Sequence, residues 1–275
     1  MIKSIVKQIL RLAGVEVRRT KSSRQRETET ERKCRQCERA TLWGALALAA
    51  RNGLTPATVI DCGAAFGTSE LYANFPDAHH VLIEPLKEYQ PALERVARSL
   101  KSGSLVMAAA AAREGTLTIH VHPDLVGSSS YLEEEDSDVN GVPREVSAVT
   151  LDSVCRQLGA RGPYLIKLDV QGSELDVLNG ATHVLTDTDL VVMETSLFEF
   201  YKGAPQVGDV ITFMGKQNFV PYDLVGAQYR LLDGAMSQVD VVFVKQSCIL
   251  RKHHFYATRE QRFAQNQKIK ESHGH

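Results

Sequence analysis

The feature that most constrains this chain is a series of short apolar runs, most of them followed by a stretch of helical periodicity. The runs are ATVID (57–61), HVLIE (80–84), SLVMAAAA (104–111), YLIKLD (164–169) and LVVME (190–194). Unbroken apolar runs of this length suit strands buried on both faces, because helices cover the two sides of a parallel sheet. Helical stretches are expected up to about Asn74, over Leu86–Lys101, over Glu174–Leu185 and over Gln206–Gln217. Thr116–His122 alternates and reads as a half-exposed strand. FVPYDL (219–224) and VDVVFVK (239–245) read as terminal strands joined by a glycine-containing connection. The expected fold is therefore α/β, a Rossmann-like, mostly parallel sheet with helices on both faces. Its expected span is 56–245, between a basic helical extension (1–55) and a basic polar tail (246–275).

In an open α/β sheet the ligand sits outside the carboxyl ends of the strands, so the strand-end residues carry the chemistry. The first is Asp61, followed by Gly63, Ala64, Phe66 and Gly67 in DCGAAFG. Glycine permits a sharp turn and close approach of a ligand, and the helix that follows offers free N–H groups. The spacing DxGxxxG lacks the middle glycine of GxGxxG and counts against a nicotinamide dinucleotide. The second is Glu84, 21 residues after Gly63 and followed by Pro85. An acid at that distance can accept both ribose hydroxyls of a nucleoside. The third and fourth are Asp169 and Glu194, on strands expected to be neighbours. Lys167 shares a strand face with Asp169, and two charges in an apolar strand are costly unless paired or functional. Paired carboxylates can supply a general base or hold a divalent cation. The plainer reading is that one caps a helix and the other binds a loop amide.

Composition sets the outer limits. Of 275 residues, 43% are hydrophobic and 24% charged, which excludes wholesale disorder. No apolar run reaches the roughly 18 residues of a membrane span. Five cysteines, an odd number, make no disulfide framework and favour a reducing, cytoplasmic setting. Charge is uneven: residues 1–39 hold 12 Lys/Arg against 5 Asp/Glu, and residues 245–275 hold 7 against 2. Ile2, Ile5, Val6, Ile9 and Leu12, with Lys3, Lys7 and Arg11 between them, describe a basic amphipathic helix. Such a helix suits packing on the domain or on a second copy in a homodimer, and residues 1–13 also suit peripheral membrane contact. Cys34 and Cys37 form a lone CxxC, a weak metal signal. His120 and His122 lack an evident third ligand. Basic ends also suit nucleic acid, but no aromatic-lined pocket for a flipped base is evident, so no nucleic acid is expected.

The series VIDCGAAFG, VLIEP, GSSSY, LDSV, YLIKLDVQGSELDVLNGA and VVMET resembles the FkbM family of S-adenosylmethionine-dependent methyltransferases over roughly residues 57–245. The resemblance implies a seven-stranded sheet with the last strand antiparallel. It implies S-adenosyl-L-methionine as cofactor and methyl transfer to a hydroxyl oxygen of a small-molecule, glycan, lipid or natural-product acceptor. On this pattern Asp61, Gly63, Ala64, Phe66, Gly67, Glu84, Ala110 and Asp169 form the cofactor site. Asp169 is the first candidate base, with Glu194 and Glu174 behind it and Lys167 as its partner. If a cation takes part, Asp169 and Glu194 would hold it. Ser128–Ser130 match a serine-rich segment near the cofactor. After the third run the chain has Ala109–Ala112, so adenine would need backbone or Glu114 contacts. The acceptor pocket is expected from 123–143 and from 196–207, with Phe198, Phe200, Tyr201 and Lys202 as its lining. The competing readings are an oxidoreductase using NAD and a non-catalytic scaffold.

Overall fold

The computed structural model describes residues 38–123, 125–133 and 140–272. The expected helix at residues 1–13, the Cys34/Cys37 pair and the acidic run at 134–138 lie outside the described residues.

Helix α1 (Leu42–Arg51) is followed by β1 (Thr58–Cys62), α2 (Ser69–Asn74), β2 (His79–Ile83), α3 (Gln90–Ser99) and β3 (Gly103–Val106). Next come β4 (Ala109–Ala110), β5 (Gly115–Val121), β6 (Val142–Val149), α4 (Leu151–Leu158), β7 (Tyr164–Leu168) and α5 (Glu174–Asn179). The chain ends with β8 (Thr188–Ser196), α6 (Val207–Lys216), β9 (Phe219–Tyr229), β10 (Met236–Lys245) and α7 (Arg259–Ser272). The main sheet has seven strands in the order β3-β2-β1-β7-β8-β10-β9. Its strands are parallel except β10, which runs antiparallel to both of its neighbours. A second, three-stranded sheet has the order β4-β6-β5.

The apolar runs form strands because both of their faces are covered. Ile60, Cys62, Ile166, Leu168, Val191 and Met193 enter one core, with Val154 of α4, Val177 of α5 and Val210 of α6. Their alternates Val59, Leu165, Leu190 and Val192 enter the other, with Leu71 of α2 and Ala45, Leu46 and Ala49 of α1. This is the period of two expected of a strand, doubled because neither face meets water. Thr41 caps α1 by accepting from Gly44 N at 3.1 Å. Packing thus continues on both sides of residues 56–245, through α1 and through Cys248.

Three local expectations change. The run 104–111 is not one strand: β3 ends at Val106, and Ala109–Ala110 pairs with β6 in the second sheet. An apolar run carries no mark of the point at which its partner changes. The helix expected over 174–185 stops at Asn179, because Gly180 lies against the chain of the neighbouring segment. A Cβ there would meet Ala111 O at 2.3 Å. Strand β6 went unread because most of its residues are exposed. In the C-terminal tail α7 forms with no buried residue. Among the described residues no helix is long and apolar enough to cross a membrane.

Candidate functional site

The ends of β1, β2, β7 and β8 lie along one edge of the sheet and border a cleft of about 500 Å³. That volume suits a small-molecule site. The small sheet closes one side with Ala109, Ala110, Leu117 and Ile119. The segment after β5 closes another with Val126, Ser128 and Ser130.

The first turn is built from Asp61 and Gly63. Asp61 is buried and accepts hydrogen bonds from Thr68 N (3.2 Å), Thr68 Oγ1 (3.0 Å) and Tyr72 OH (2.6 Å). Burial, then the Asp61 charge, pushes the Tyr72 phenol well above its usual range. Gly63 has φ +71°, and a Cβ there would lie 1.9 Å from Asp169 O. Only glycine lets the ends of β1 and β7 touch in this way. Ala65 N donates to Glu84 Oε2 at 3.0 Å, and Leu86 N donates to Oε1 at 2.9 Å. Burial raises the Glu84 carboxyl and the two N–H groups partly offset this.

Of the residues expected to hold the cofactor, Gly63, Glu84, Ala110 and Asp169 line the cleft. The others do not. Asp61 ties the strand end to the start of α2, and Ala64 is buried in the core beside Leu82. Phe66 is 71% exposed, stands edge-on to Tyr89 at 4.9 Å, and with Gly67 borders a separate surface depression. Ala65, which the sequence did not single out, takes the cleft position. Glu114 is exposed and does not line the cleft.

The carboxylate end is a linked network. Lys167 is buried, and its Nζ donates to Asp169 Oδ2 at 3.0 Å and lies 3.9 Å from Asp61 Oδ1. Burial works to lower the ammonium, but Asp169 and Asp61 outweigh it and hold Lys167 above its usual range. Gln171 Nε2 donates to Asp169 Oδ1 at 2.9 Å and to Glu194 Oε2 at 3.0 Å, bridging the two acids. Gln228 and Gln238 donate to Glu194 at 3.2 and 2.9 Å. Burial, then Asp169 and Asp240, pushes Glu194 up to about 8. Asp240 is the residue opposite Glu194 on β10, and burial raises it to about 6.

Several expected residues lie away from the cleft. Glu174 does not line the cleft: its Oε1 accepts from Val170 N (3.1 Å) and Gly172 N (3.2 Å) and braces the strand-end loop. Burial pushes it up to about 7. Phe198, Phe200 and Tyr201 border a smaller adjoining pocket and not the cleft. Tyr201 is buried, with its hydroxyl 3.0 Å from Gly127 O and 3.2 Å from Gln171 Oε1. His122 lies 3.5 Å from Glu133 in the cleft wall, and the His120 backbone pairs with Ser129. Among the described residues no group of three or more His, Cys, Asp or Glu side chains is arranged to hold a metal ion. Asp169 and Glu194 are instead bridged by an uncharged amide. Gln171 was not singled out from the sequence, although its place between Asp169 and Gly172 in the strand-end motif was a signal. Gln228 and Gln238 carry no local signal, since the register of β9 and β10 brings them in.

A family model, the methyltransferase FkbM domain, matches residues 61–221. No curated protein sequence matches the chain. Among solved structures, magnesium protoporphyrin IX methyltransferase from Synechocystis PCC 6803, with S-adenosylmethionine bound, is similar at 12% identity and a TM-score of 0.43. The similarity covers 88% of this chain and 96% of that one. The N-methyltransferase NodS from Bradyrhizobium japonicum WM9 is similar at 12% identity and a TM-score of 0.43, over 77% of this chain and 97% of that one. An S-adenosylmethionine-dependent methyltransferase from Clostridium acetobutylicum ATCC 824 is similar at 10% identity and a TM-score of 0.42, over 79% and 99%. With the match covering more than half of its length, and with cleft and strand-end motifs in one place, the chain belongs to the FkbM family of S-adenosylmethionine-dependent methyltransferases.

Proposed function

We propose that this protein transfers a methyl group to a hydroxyl oxygen of a sugar, glycan, lipid or natural-product acceptor. The observation that carries the reading is the pair of acids, Asp169 and Glu194, lining the same cleft as the Gly63 turn and Glu84. When bound, S-adenosylmethionine supplies a methyl group already activated on a sulfonium. An alcohol is a poor nucleophile while protonated, so a hydroxyl acceptor needs a base and an amine entering neutral does not.

The residues present fit the cofactor. Glu84 spends one lone pair of each oxygen on a backbone N–H, which leaves one on each for a ribose hydroxyl. Ala109 and Ala110 offer a smooth, small-residue wall to a planar base. Asp169 is the proton acceptor of this reading, with its side chain 34% exposed towards solvent and cleft. Lys167 fixes one of its oxygens and Gln171 the other, so the carboxylate is oriented before any acceptor arrives. Glu194 serves as the second acid of the acceptor end. The catalytic unit is proposed to take in α1 together with residues 56–245.

Calorimetric titration of S-adenosylhomocysteine into wild type and Glu84→Ala tests the reading. Micromolar binding to wild type, weakened at least about 30-fold in the variant, is expected from losing hydrogen bonds to a charged acceptor. A folded wild type that binds nothing would favour the non-catalytic scaffold.

A further inference from the structure

Strands β9 and β10 run on past the end of the parallel strands. Gln238 pairs with Ser196, the last residue of β8, and both strands continue beyond that point. Gln228 and Gln238 line the cleft from the base of this extension, so the hairpin tip stands on the cleft side of the sheet. At the tip Leu231 and Leu232 are 105% and 82% exposed, and Tyr229 is 62% exposed. A hairpin turn needs no such residues, since small polar ones satisfy its backbone. The one cation of the tip is neutralised. Arg230 donates to both carboxylate oxygens of Asp233, at 2.7 and 2.6 Å, and lies 4.0 Å from the centre of the Phe198 ring.

We propose that this tip enters the interfacial layer of a lipid bilayer and holds the mouth of the cleft against the membrane. The binding itself is independent of the methyl-transfer reading, although its use rests on that reading, because it would present the cleft to a membrane-held acceptor. A second protein is the weaker occupant. Three side chains on a convex turn fall far short of the roughly 800 Å² per partner that a stable interface buries. A bilayer requires no complementary groove, only apolar area at the right depth, and tyrosine favours the headgroup level. Pairing Arg230 with Asp233 removes a net charge from the part that enters. The Lys/Arg excess of residues 245–275 starts at Lys245, the far end of β10 from the tip, so the tip's own apolar side chains carry the contact.

The test uses the full chain and vesicles of phosphatidylcholine with about a quarter phosphatidylglycerol, read by cosedimentation. Wild type should sediment, and Leu231→Asp with Leu232→Asp should lower the bound fraction about tenfold while melting temperature and S-adenosylhomocysteine affinity stay unchanged. Trp43 is the only tryptophan, so Leu232→Trp in a Trp43→Phe background reports the tip alone. Its emission should shift to the blue on adding vesicles and be quenched by brominated lipid chains. Wild type that stays in solution overturns the proposal. So does a double variant that sediments as well as wild type, since binding then belongs to the basic ends. A tip substitution that dissolves a dimer and leaves vesicle binding untouched assigns the tip to a protein interface and overturns it too. The S-adenosylhomocysteine titration on the same samples separates failure here from failure of the methyl-transfer reading.

Discussion

Gln171 adopts φ +52°, a region that non-glycine residues enter at a cost of the order of 1 kcal/mol. The cost is met because four hydrogen bonds hold the residue. Its carboxamide nitrogen reaches Asp169 and Glu194, its carboxamide oxygen lies 3.2 Å from Tyr201 OH, and its backbone oxygen accepts from Ser129 Oγ at 2.6 Å. One uncharged donor thus fixes the spacing of two acids that repel each other. Two expectations follow for purified variants tested against a panel of hydroxyl acceptors by release of S-adenosylhomocysteine. Asp169→Asn should lower the rate about 10²–10⁴-fold, the range for losing a general base, and leave cofactor binding intact. A variant as fast as wild type would remove Asp169 from the proton-transfer step. Gln171→Leu keeps both acids but frees them. Its rate at neutral pH should fall about tenfold, and the acid limb of its pH–rate profile should move to higher pH, since two closer or unshared charges bind a proton more tightly. A uniform fall with no movement of that limb would make Gln171 a packing residue only.

At the scale of elements, burial sets what the sequence could reveal. The strands with both faces covered, β1, β2, β7 and β8, were legible as apolar runs, and the acids Glu84, Asp169 and Glu194 at the ends of β2, β7 and β8 line the cleft. The β4 switch was not legible, because Val106 and Ala109 differ in partner and not in character. Nor was β6, whose exposed residues leave a polar pattern like that of the loop before it. Gln228 and Gln238 depend on pairing between strands far apart in sequence, which no window of local residues contains. Helix α1 is a related case. Its apolar stretch, 40–50, is too short to span a membrane and gives no sign of the face it covers. Leu46 is fully buried against the sheet. Leu46→Ala should therefore destabilise the protein by about 2–5 kcal/mol in equilibrium denaturant unfolding. A cost under about 1 kcal/mol would mean that α1 rests on the sheet without being part of its core.

On the scale of the whole molecule, three acids pushed well up, Glu194, Glu174 and Asp240, lie at one end of the sheet, where they oppose folding. Glu194, Glu174 and Asp240 are raised by burial to about 8, 7 and 6, against ordinary values of 4.5 for glutamate and 3.8 for aspartate. An acid whose folded value is raised holds its proton more tightly folded than unfolded, so stability falls as pH rises through the interval between the two values. For these three groups the interval runs from about 4 to about 8. His80 acts the other way, because burial lowers it and folding then gains as the imidazole loses its proton. The two contributions overlap in wild type but separate in a variant. Glu194→Gln removes the largest acid contribution and leaves those of Glu174, Asp240 and His80 in place, so the difference from wild type reports Glu194. Melting curves by circular dichroism at fixed ionic strength should show wild type losing stability relative to this variant on going from pH 5 to pH 8. A difference that stays constant across that range would mean that Glu194 ionises as freely folded as unfolded. The expected slope would instead tie the stability of the fold to Glu194, a cleft acid that burial and its neighbouring carboxylates raise and Lys167 only partly offsets.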